Sequence, residues 1–510
     1  MRNMRERERE REREFKVGKF IFLAVFCFCC CVPLAAAFNG IAIVSPYLNI
    51  DTSPTVNNIG SWTDPDPDWW ETSQDRLLRY NERPSLLSLG FDMNTEHVNI
   101  VAFIEIREDV GNFLTKNSYS NIPYVGNTIS AITDMNFPRL GYVDVQLGGF
   151  YGSIGRRQIK WGPATYDLAI SDSAPYLDNI WLQYKTDVSY GSWWYNFIAV
   201  GFSNVALNDD EERTELSKTL FAHRLGFENS FIRVGIGELN MVYNTAPSIL
   251  DFTPIGIWHN LYQDEHSNVM LHLSVEGLAG PVRMFGVFAM DDIDLPVEPA
   301  SNQKPAAMGF SGGVEWQVFE GPKLESVRFQ PSDYLLAEPT FRKDGGLHVG
   351  SEVFYTTNYM YNRRTEAYGQ NDEVGKFTVP IRMQSFVGGY TSSADAYFVG
   401  FPYGPGSLLA RLYTDYEASN WTLSGSVEWL RRGTARIEDK YSTIPNLMET
   451  WFALKAPYTD VVMVEVDGGW YPKPSIKVSA GLAGIFDITH GKNVFQCSLG
   501  AAIDLTRAFR

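Results

Sequence analysis

The chain has almost no cysteine outside its N-terminal leader. Of five cysteines, four fall at positions 27, 29, 30 and 31, and only Cys497 lies further along the 510 residues. A single downstream cysteine excludes an intramolecular disulfide framework and a cysteine-rich metal site. The seven histidines never show His-x-His or His-Glu-x-x-His spacing, which disfavours a zinc site. We therefore expect no cofactor.

Two further absences narrow the class of protein. Positive charge is in deficit, with 43 Lys plus Arg against 60 Asp plus Glu and a net charge of -17. Neutralising phosphates requires a basic face, so nucleic acid is excluded as a partner. No stretch of about 18 or more apolar residues follows the leader, which excludes transmembrane helices. The 45% hydrophobic content is too high for a wholly disordered chain.

The leader itself has the features of an export signal. A charged stretch, residues 1–19, precedes an apolar run, residues 20–34, and residues 35–37 are three alanines. This order predicts a signal peptide over residues 1–37, cleaved near Ala37. The alternating Arg-Glu run at 5–14 is unusual for such a signal. The alternative is a lipidated N-terminus at Cys31, disfavoured because Phe28 stands where an aliphatic residue is usual.

The chain after the leader consists of segments in which apolar and polar residues alternate, as they do in β-strands. In the segment 407–432, apolar Leu408, Ala410 and Leu412 share one face, while Arg411 and Asp415 share the other. This period of two is typical of a strand. The next strand has Trp421 and Trp429 at the two ends of its apolar face. Such a pattern matches a strand that crosses a lipid layer with an aromatic residue at each interface.

The same alternation recurs along the chain to its last residues, so we predict an all-β fold. This is a closed antiparallel transmembrane β-barrel of about 14–18 strands, with a lumen narrowed by inward-folded segments. The expected organisation is a signal peptide (1–37), a periplasmic arm or plug (38–85) and the barrel (86–510). A soluble sandwich or propeller is the alternative, disfavoured by the aromatic strand ends and the absence of a repeat. The predicted location is the outer membrane of a diderm bacterium, in contact with its lipid.

One segment differs from the alternating strands. Three cations, Arg156, Arg157 and Lys160, precede Trp161-Gly162-Pro163. Glycine and proline should end the strand there and turn the chain, because proline cannot donate a ladder hydrogen bond. An inward fold would bring these cations and Trp161 near the lumen. We predict Gly155, Gly162, Pro163 and Pro175 as structural corner residues.

Residues 155–178 resemble the capsule assembly protein Wzi family. The resemblance rests on the Gly-Arg-type strand, the Trp-Gly-Pro corner and the run Leu168 to Pro175 with its serine and Ala-Pro. It implies a non-enzymatic, lectin-like outer-membrane barrel that helps to assemble or attach exported, acidic polysaccharide. Guanidinium groups and an aromatic face suit such a ligand; the candidate residues are Arg156, Arg157, Lys160, Trp161, Tyr166 and Asp172.

Other interpretations stay open. The same cations could pair with inward carboxylates such as Glu105 or Glu428 and only brace the wall. They could instead form the constriction of a porin-like channel for small solutes. A glycosidase is disfavoured. The sequence Gly309-Phe310-Ser311-Gly312-Gly313 has the spelling of a nucleophile elbow but continues into an alternating strand rather than a helix.

Overall fold

The computed structural model describes most of the chain from residue 37 onward. The described ranges are 37–51, 85–106, 119–120, 124–125, 128–129, 132–134, 139–174, 176–202, 205–209, 212–253, 256–258, 266–292, 306–324, 331–362, 375–385, 390–435 and 453–508. Residues 1–36 of the predicted signal peptide and the predicted corner residue Pro175 lie outside these ranges.

Eighteen strands, labelled β1 to β18 in chain order, form one antiparallel sheet. They are β1 (Ala37–Val44 and Tyr47–Asp51), β2 (Leu87–Asn94), β3 (Val98–Ile106), β4 (Leu140–Leu147), β5 (Phe150–Arg157), β6 (Leu177–Val188), β7 (Gly191–Gly201), β8 (Lys218–Glu228), β9 (Ile232–Tyr243), β10 (Ser267–Ala279), β11 (Val282–Asp292), β12 (Ala307–Phe319), β13 (Gly346–Thr356), β14 (Ser407–Ala418), β15 (Trp421–Arg432), β16 (Thr459–Lys473), β17 (Ile476–Asp487) and β18 (Lys492–Asp504).

Each strand pairs with its neighbours in the sequence, and the first strand closes the barrel. β1 pairs with β2 through Ile43 and Ser88, and with β18 through Tyr47 and Gly500. The fold is therefore a closed 18-stranded antiparallel barrel, which confirms the predicted class and the upper end of the strand range. The expected arm or plug over 38–85 needs correction, because residues 37–51 are needed as the closing strand and 52–84 lie outside the described ranges.

The predicted inward and outward faces are present. Ile104 is 52% exposed on the outer wall, whereas its neighbour Glu105 is fully buried inside. Adjacent residues of a strand point to opposite faces, so a polar lumen and an apolar exterior follow from the alternation. Trp421 and Trp470 pair across β15 and β16, with ring centroids 5.9 Å apart, at one rim of the barrel. An apolar outer wall with aromatic residues at its rim is the surface that a transmembrane barrel presents to lipid.

The two rims differ in the length of their connections. One rim carries seven short turns, at residues 95–97, 148–149, 189–190, 229–231, 280–281, 419–420 and 474–475, together with the long connection 320–345. The opposite rim carries the remaining connections, including 158–176 and 244–266. Because outer-membrane barrels have short periplasmic turns and longer extracellular loops, the first rim is the periplasmic one.

The remaining elements are small. Two short helices are described, a 3-10 turn at Pro331–Tyr334 and an α-helical turn at Leu505–Ala508, and among the described residues no helix is long and apolar enough to cross a membrane. Ile159–Lys160 pairs with Leu336–Ala337, and Thr378–Ser385 pairs with Tyr390–Phe398. Further strand pairs join Val205–Asp209 to Glu212–Leu216, Tyr124–Val125 to Thr128–Ile129, and Ile132–Asp134 to Tyr119–Ser120 and Thr378–Ser385. Ser311 of the elbow-like spelling lies inside β12, as its sequence predicted.

Candidate functional site in the barrel lumen

The connection between β5 and β6 folds into the lumen. We call residues 158–174 the plug. Trp161, Leu168 and Ile170 of the plug are fully buried and pack in one cluster with inward residues of the wall, among them Leu220 and Leu239. The plug backbone closes on itself where Trp161 N donates to Ile170 O at 3.0 Å. An extracellular connection thus enters the lumen and narrows it, as predicted for the fold.

The turn that directs the plug inward requires glycine. Gly162 has φ of 67°, a left-handed value that other residues adopt only with strain. A side-chain carbon there would lie 2.3 Å from Oδ2 of Asp167. Pro163 follows and cannot donate a ladder hydrogen bond. Gly162 and Pro163 therefore form the predicted corner, whereas Gly155 lies within β5 and not at the corner.

The wall holds the plug through hydrogen bonds from three strands of one arc, β11, β13 and β14. Glu352 of β13 accepts from Thr165 N at 2.8 Å, and Arg411 of β14 donates to Thr165 Oγ1 at 2.8 Å. Arg283 of β11 donates to Pro163 O at 3.2 Å. Since charged groups make the strongest hydrogen bonds, these contacts fix the plug backbone at its turn.

A buried contact between a carboxyl group and an imidazole joins the plug to β10. Asp167 Oδ2 lies 3.1 Å from His272 Nε2, and both side chains are fully buried. Asp167 Oδ1 also accepts from the backbone N–H groups of Ala169 and Ile170, at 2.7 and 3.1 Å. Burial alone would raise the pKa of this carboxyl, but His272, Arg224 and the backbone donors together hold its pKa below the usual range.

A second segment enters the lumen from the periplasmic rim. We call residues 331–345 the periplasmic segment. Its Leu336–Ala337 pairs in parallel with Ile159–Lys160 of the plug. Its Glu338 is ion-paired with Arg224 of β8 and accepts from Asn196 Nδ2 at 2.6 Å. The segments from the two rims therefore meet inside the barrel and share one short sheet.

Five arginines whose side chains lie in the lumen each have a carboxylate partner. Arg224 pairs with Glu338, Arg157 with Asp144, Arg283 with Glu276 and Glu315, Arg342 with Glu315 and Asp415, and Arg411 with Glu352 and Glu428. Burial of these guanidinium groups would be costly without such partners. Glu428 lies 2.8 Å from Arg411 Nε and thus pairs with none of the three predicted cations, of which Arg157 pairs with Asp144.

The structure separates Arg156 from the other predicted site residues. Arg156 shares the outward face of β5 with Ile154 and pairs with Asp178 of β6 at 2.5 Å. The expectation that Arg156 lies near the lumen is wrong, because neighbouring strand residues point to opposite faces and Arg157 takes the inward one. Arg157 donates to Tyr334 O at 2.6 Å and lies over the Tyr142 ring.

The other predicted residues lie together in the plug. Trp161 is fully buried beside the His272 ring, at a centroid distance of 5.5 Å. Tyr166 packs among Phe354, Phe401 and Tyr403, with centroid distances of 5.7 to 6.3 Å. Lys160 Nζ lies 3.8 Å from Asp172 Oδ1, and Asp172 has 31% of its side chain exposed. Lys160 itself has 16% of its side chain exposed, and both residues are more accessible than Trp161.

Sequence reasoning missed most of the residues that hold the plug. Asp167, His272, Arg224 and Glu338 are separated by tens of residues along the chain, so no local motif joins them. The available signal was their inward phase, since a polar residue on the inward face of a strand needs a partner. The alternation of a strand thus shows that an inward polar residue needs a partner, but it does not show which residue that partner is.

The structure of this chain is similar to solved structures of several outer-membrane proteins. Wzi of Escherichia coli, described as an outer-membrane protein involved in group 1 capsule assembly and a carbohydrate-binding β-barrel, aligns over 92% of this chain and 85% of its own, with 12% identity and a TM-score of 0.48. OccK11 (OpdR) of Pseudomonas aeruginosa aligns over 91% and 95%, with 7% identity and a TM-score of 0.41. A loop-deletion mutant of the Vibrio cholerae outer-membrane protein OmpT aligns over 92% and 99%, with 9% identity and a TM-score of 0.31.

No protein-family model and no curated protein matches the sequence. The architecture itself follows from the strand pairing, the apolar outer wall and the polar lumen. This chain is an outer-membrane β-barrel. Its lumen is occupied by the plug and by the periplasmic segment, and their contacts with the wall are the geometry from which a function can be proposed.

Proposed function

We propose that this outer-membrane barrel binds exported polysaccharide at the cell surface without enzymatic turnover, and so takes part in the assembly or attachment of a capsule or similar coat. The observation that carries this proposal is the occupied lumen. The plug is bonded to the wall strands β10, β11, β13 and β14 through Asp167, Pro163 and Thr165. A barrel filled at this level suits a binding surface better than a passage for solutes.

The resemblance of residues 155–178 to the Wzi family supports the ligand class. The polar side chains near the start and end of the plug, Lys160 and Asp172, offer one cation and one anion with partial exposure. With a net charge of -17, the protein attracts no acidic glycan at long range, so contact with Lys160 has to be local. Trp161 and Arg157 act in this proposal by positioning the plug, because both are buried.

A porin-like channel is the second candidate, favoured by the 18-strand circumference and the charged lumen lining. Planar bilayers separate the two. The binding proposal expects no stable unitary conductance from the native protein, and stable steps after residues 161–173 are replaced by a short Gly-Ser linker. Unitary steps from the native protein would favour the channel.

Glycan retention tests the binding role directly. We expect the refolded protein to be retained on an immobilised uronic-acid polysaccharide at low salt more than on a neutral one. Lys160→Gln should weaken retention several-fold, because Lys160 is the one cation among residues 158–174. Lys185→Gln is the matched control, since Lys185 is an ion-paired lysine near the periplasmic rim. Equal retention of both variants would remove Lys160 from the site.

A further inference from the structure

The connection that follows β9 lies against the outside of the barrel. We call the described residues 244–253 and 256–258 the outer loop. Phe252 of this loop packs edge-on against Phe221 of β8, with ring centroids 4.9 Å apart, and near Phe197 of β7. Phe221 shares its strand face with the exposed Leu225, so it belongs to the outer wall. The outer loop therefore covers outward-facing residues and not the lumen.

Beneath the outer loop, the outer wall is polar. His223 and Glu238 face outward 3.9 Å apart, with side chains 12% and 15% exposed. Trp258 of the loop stacks on the His223 ring at 4.1 Å, and its backbone N–H donates to Glu238 Oε2 at 2.8 Å. Asn240, on the same outward face of β9, is fully buried. Polar side chains are costly against lipid, and the loop takes the place of lipid here.

These polar residues lie at membrane depth. Asn240 is eight residues beyond Ile232, the first residue of β9 at the periplasmic rim. At about 3.4 Å per residue and a strand tilt of about 40°, this places Asn240 about 21 Å up the wall, within the band about 25 Å tall that such barrels present to hydrocarbon. The outer loop thus covers the extracellular part of that band.

The outward surface of the loop is apolar. Ile249 is 87% exposed, Ile257 57%, Leu250 50% and Phe252 49%. Directly below the loop, on the periplasmic side, Leu225 of β8 and Ile236 of β9 continue the exposed apolar wall. The loop surface is therefore continuous with the lipid-facing band of the barrel.

The loop also satisfies much of its own backbone, as a segment next to hydrocarbon must. Ser248 N donates to Asp251 Oδ2 at 2.6 Å, and Asp251 N donates to Ser248 O at 3.2 Å. Thr253 N donates to Leu250 O at 3.0 Å, and Asn244 N donates to Ser217 O at 3.0 Å. Trp258 N is bonded to Glu238 of the wall, so each of these backbone N–H groups has a partner either inside the loop or on the barrel.

We propose that the outer loop is a lipid-docking surface, with the acyl chains of the outer leaflet as its partner. Ile249, Leu250, Phe252 and Ile257 enter the boundary between headgroups and acyl chains, while Trp258 and Phe252 fix the loop to the wall. The loop seals the polar patch of His223, Glu238 and Asn240 from lipid. This role does not depend on whether the barrel binds polysaccharide.

Site-directed fluorescence in lipid vesicles tests the proposal. All five native cysteines are replaced by serine, Ile249→Cys or Ile257→Cys is introduced, and an environment-sensitive fluorophore is attached. Leu482→Cys, from the 63% exposed wall residue of β17, is the lipid-facing control. Glu96→Cys, from a periplasmic turn where the side chain is 88% exposed, is the aqueous control. Heat-modifiability on a gel selects folded protein for every variant.

The expected result at both loop positions is a blue-shifted emission like that of the Leu482 control, at least several-fold stronger quenching by vesicles with brominated acyl chains than at Glu96, and little quenching by iodide. Iodide quenching equal to that at Glu96 would overturn the proposal. Protection from both quenchers together with disulfide crosslinking of two copies through position 249 would overturn it as well, and would identify a second copy of this chain as the partner.

Discussion

The carboxylate of Asp167 in the plug lies 3.1 Å from the imidazole of His272 on β10, inside the barrel. The pair connects a loop to a strand 105 residues further along the chain, and neither side chain is exposed. Together with Glu338 and Arg224, which join the periplasmic segment to β8, it fixes two inward segments against the wall.

The plug should loosen in acid because of Asp167. A carboxyl with a lowered folded-state pKa contributes stability above its unfolded-state pKa of about 3.9, and this contribution is lost as the pH falls through the folded-state value. We expect protease resistance of the plug to be constant from about pH 7 to 5 and to fall below about pH 4. Asp167→Asn should remove that part of the pH dependence; an unchanged profile would contradict the assignment.

Arg224→Met should destabilise the barrel strongly. The substitution leaves Glu338 buried beside Asn196 without a cation, a change that costs about 3–5 kcal/mol in buried pairs. The combined variant Arg224→Met, Glu338→Leu should recover much of that loss, since no uncompensated charge remains. Urea unfolding in lipid vesicles measures both. Lys323→Ala, which breaks the exposed pair with Asp344, serves as control and should change stability by less than about 1 kcal/mol.

Gly162→Ala should distort the corner of the plug. The left-handed φ and the 2.3 Å approach to Asp167 leave no room for a methyl group, so we expect a loss of more than about 1 kcal/mol and faster cleavage within the plug. Gly141→Ala in β4 is the matched variant, because a side-chain carbon there meets nothing within 4 Å. Equal behaviour of the two variants would show that the corner tolerates side chains.

Tyr361→Phe should weaken the extracellular side of the plug. The Tyr361 hydroxyl donates to Leu168 O at 2.7 Å and accepts from Phe401 N at 2.9 Å, and burial raises its pKa so that it stays protonated. Removing it leaves two buried backbone groups unpaired, at a cost of about 1–3 kcal/mol. The exposed Tyr190→Phe provides the comparison. Unfolding midpoints that agree for both variants would argue against this role of Tyr361.

The barrel was predictable from sequence because alternation is local. Leu412 and Arg411, or Ile104 and Glu105, take opposite faces through strand geometry alone, and both pairs do so in the structure. The inward turn at Gly162-Pro163 was predictable for the same reason, since backbone freedom at glycine and the missing N–H of proline are properties of single residues. The prediction that Arg156 and Arg157 both lie near the lumen was wrong for Arg156, because adjacent residues of β5 point to opposite faces of the wall.

The sequence by itself determined the transmembrane barrel, its polar lumen and the position at which a loop leaves the wall, since each depends on neighbours within a few residues. Only the tertiary structure decided that Asp167 meets His272, that Glu338 reaches Arg224 from the other rim, and that the outer loop covers a polar patch outside. Such contacts join residues far apart in the chain, and their partners are chosen by closure of the barrel and by the cost of leaving a buried charge unpaired.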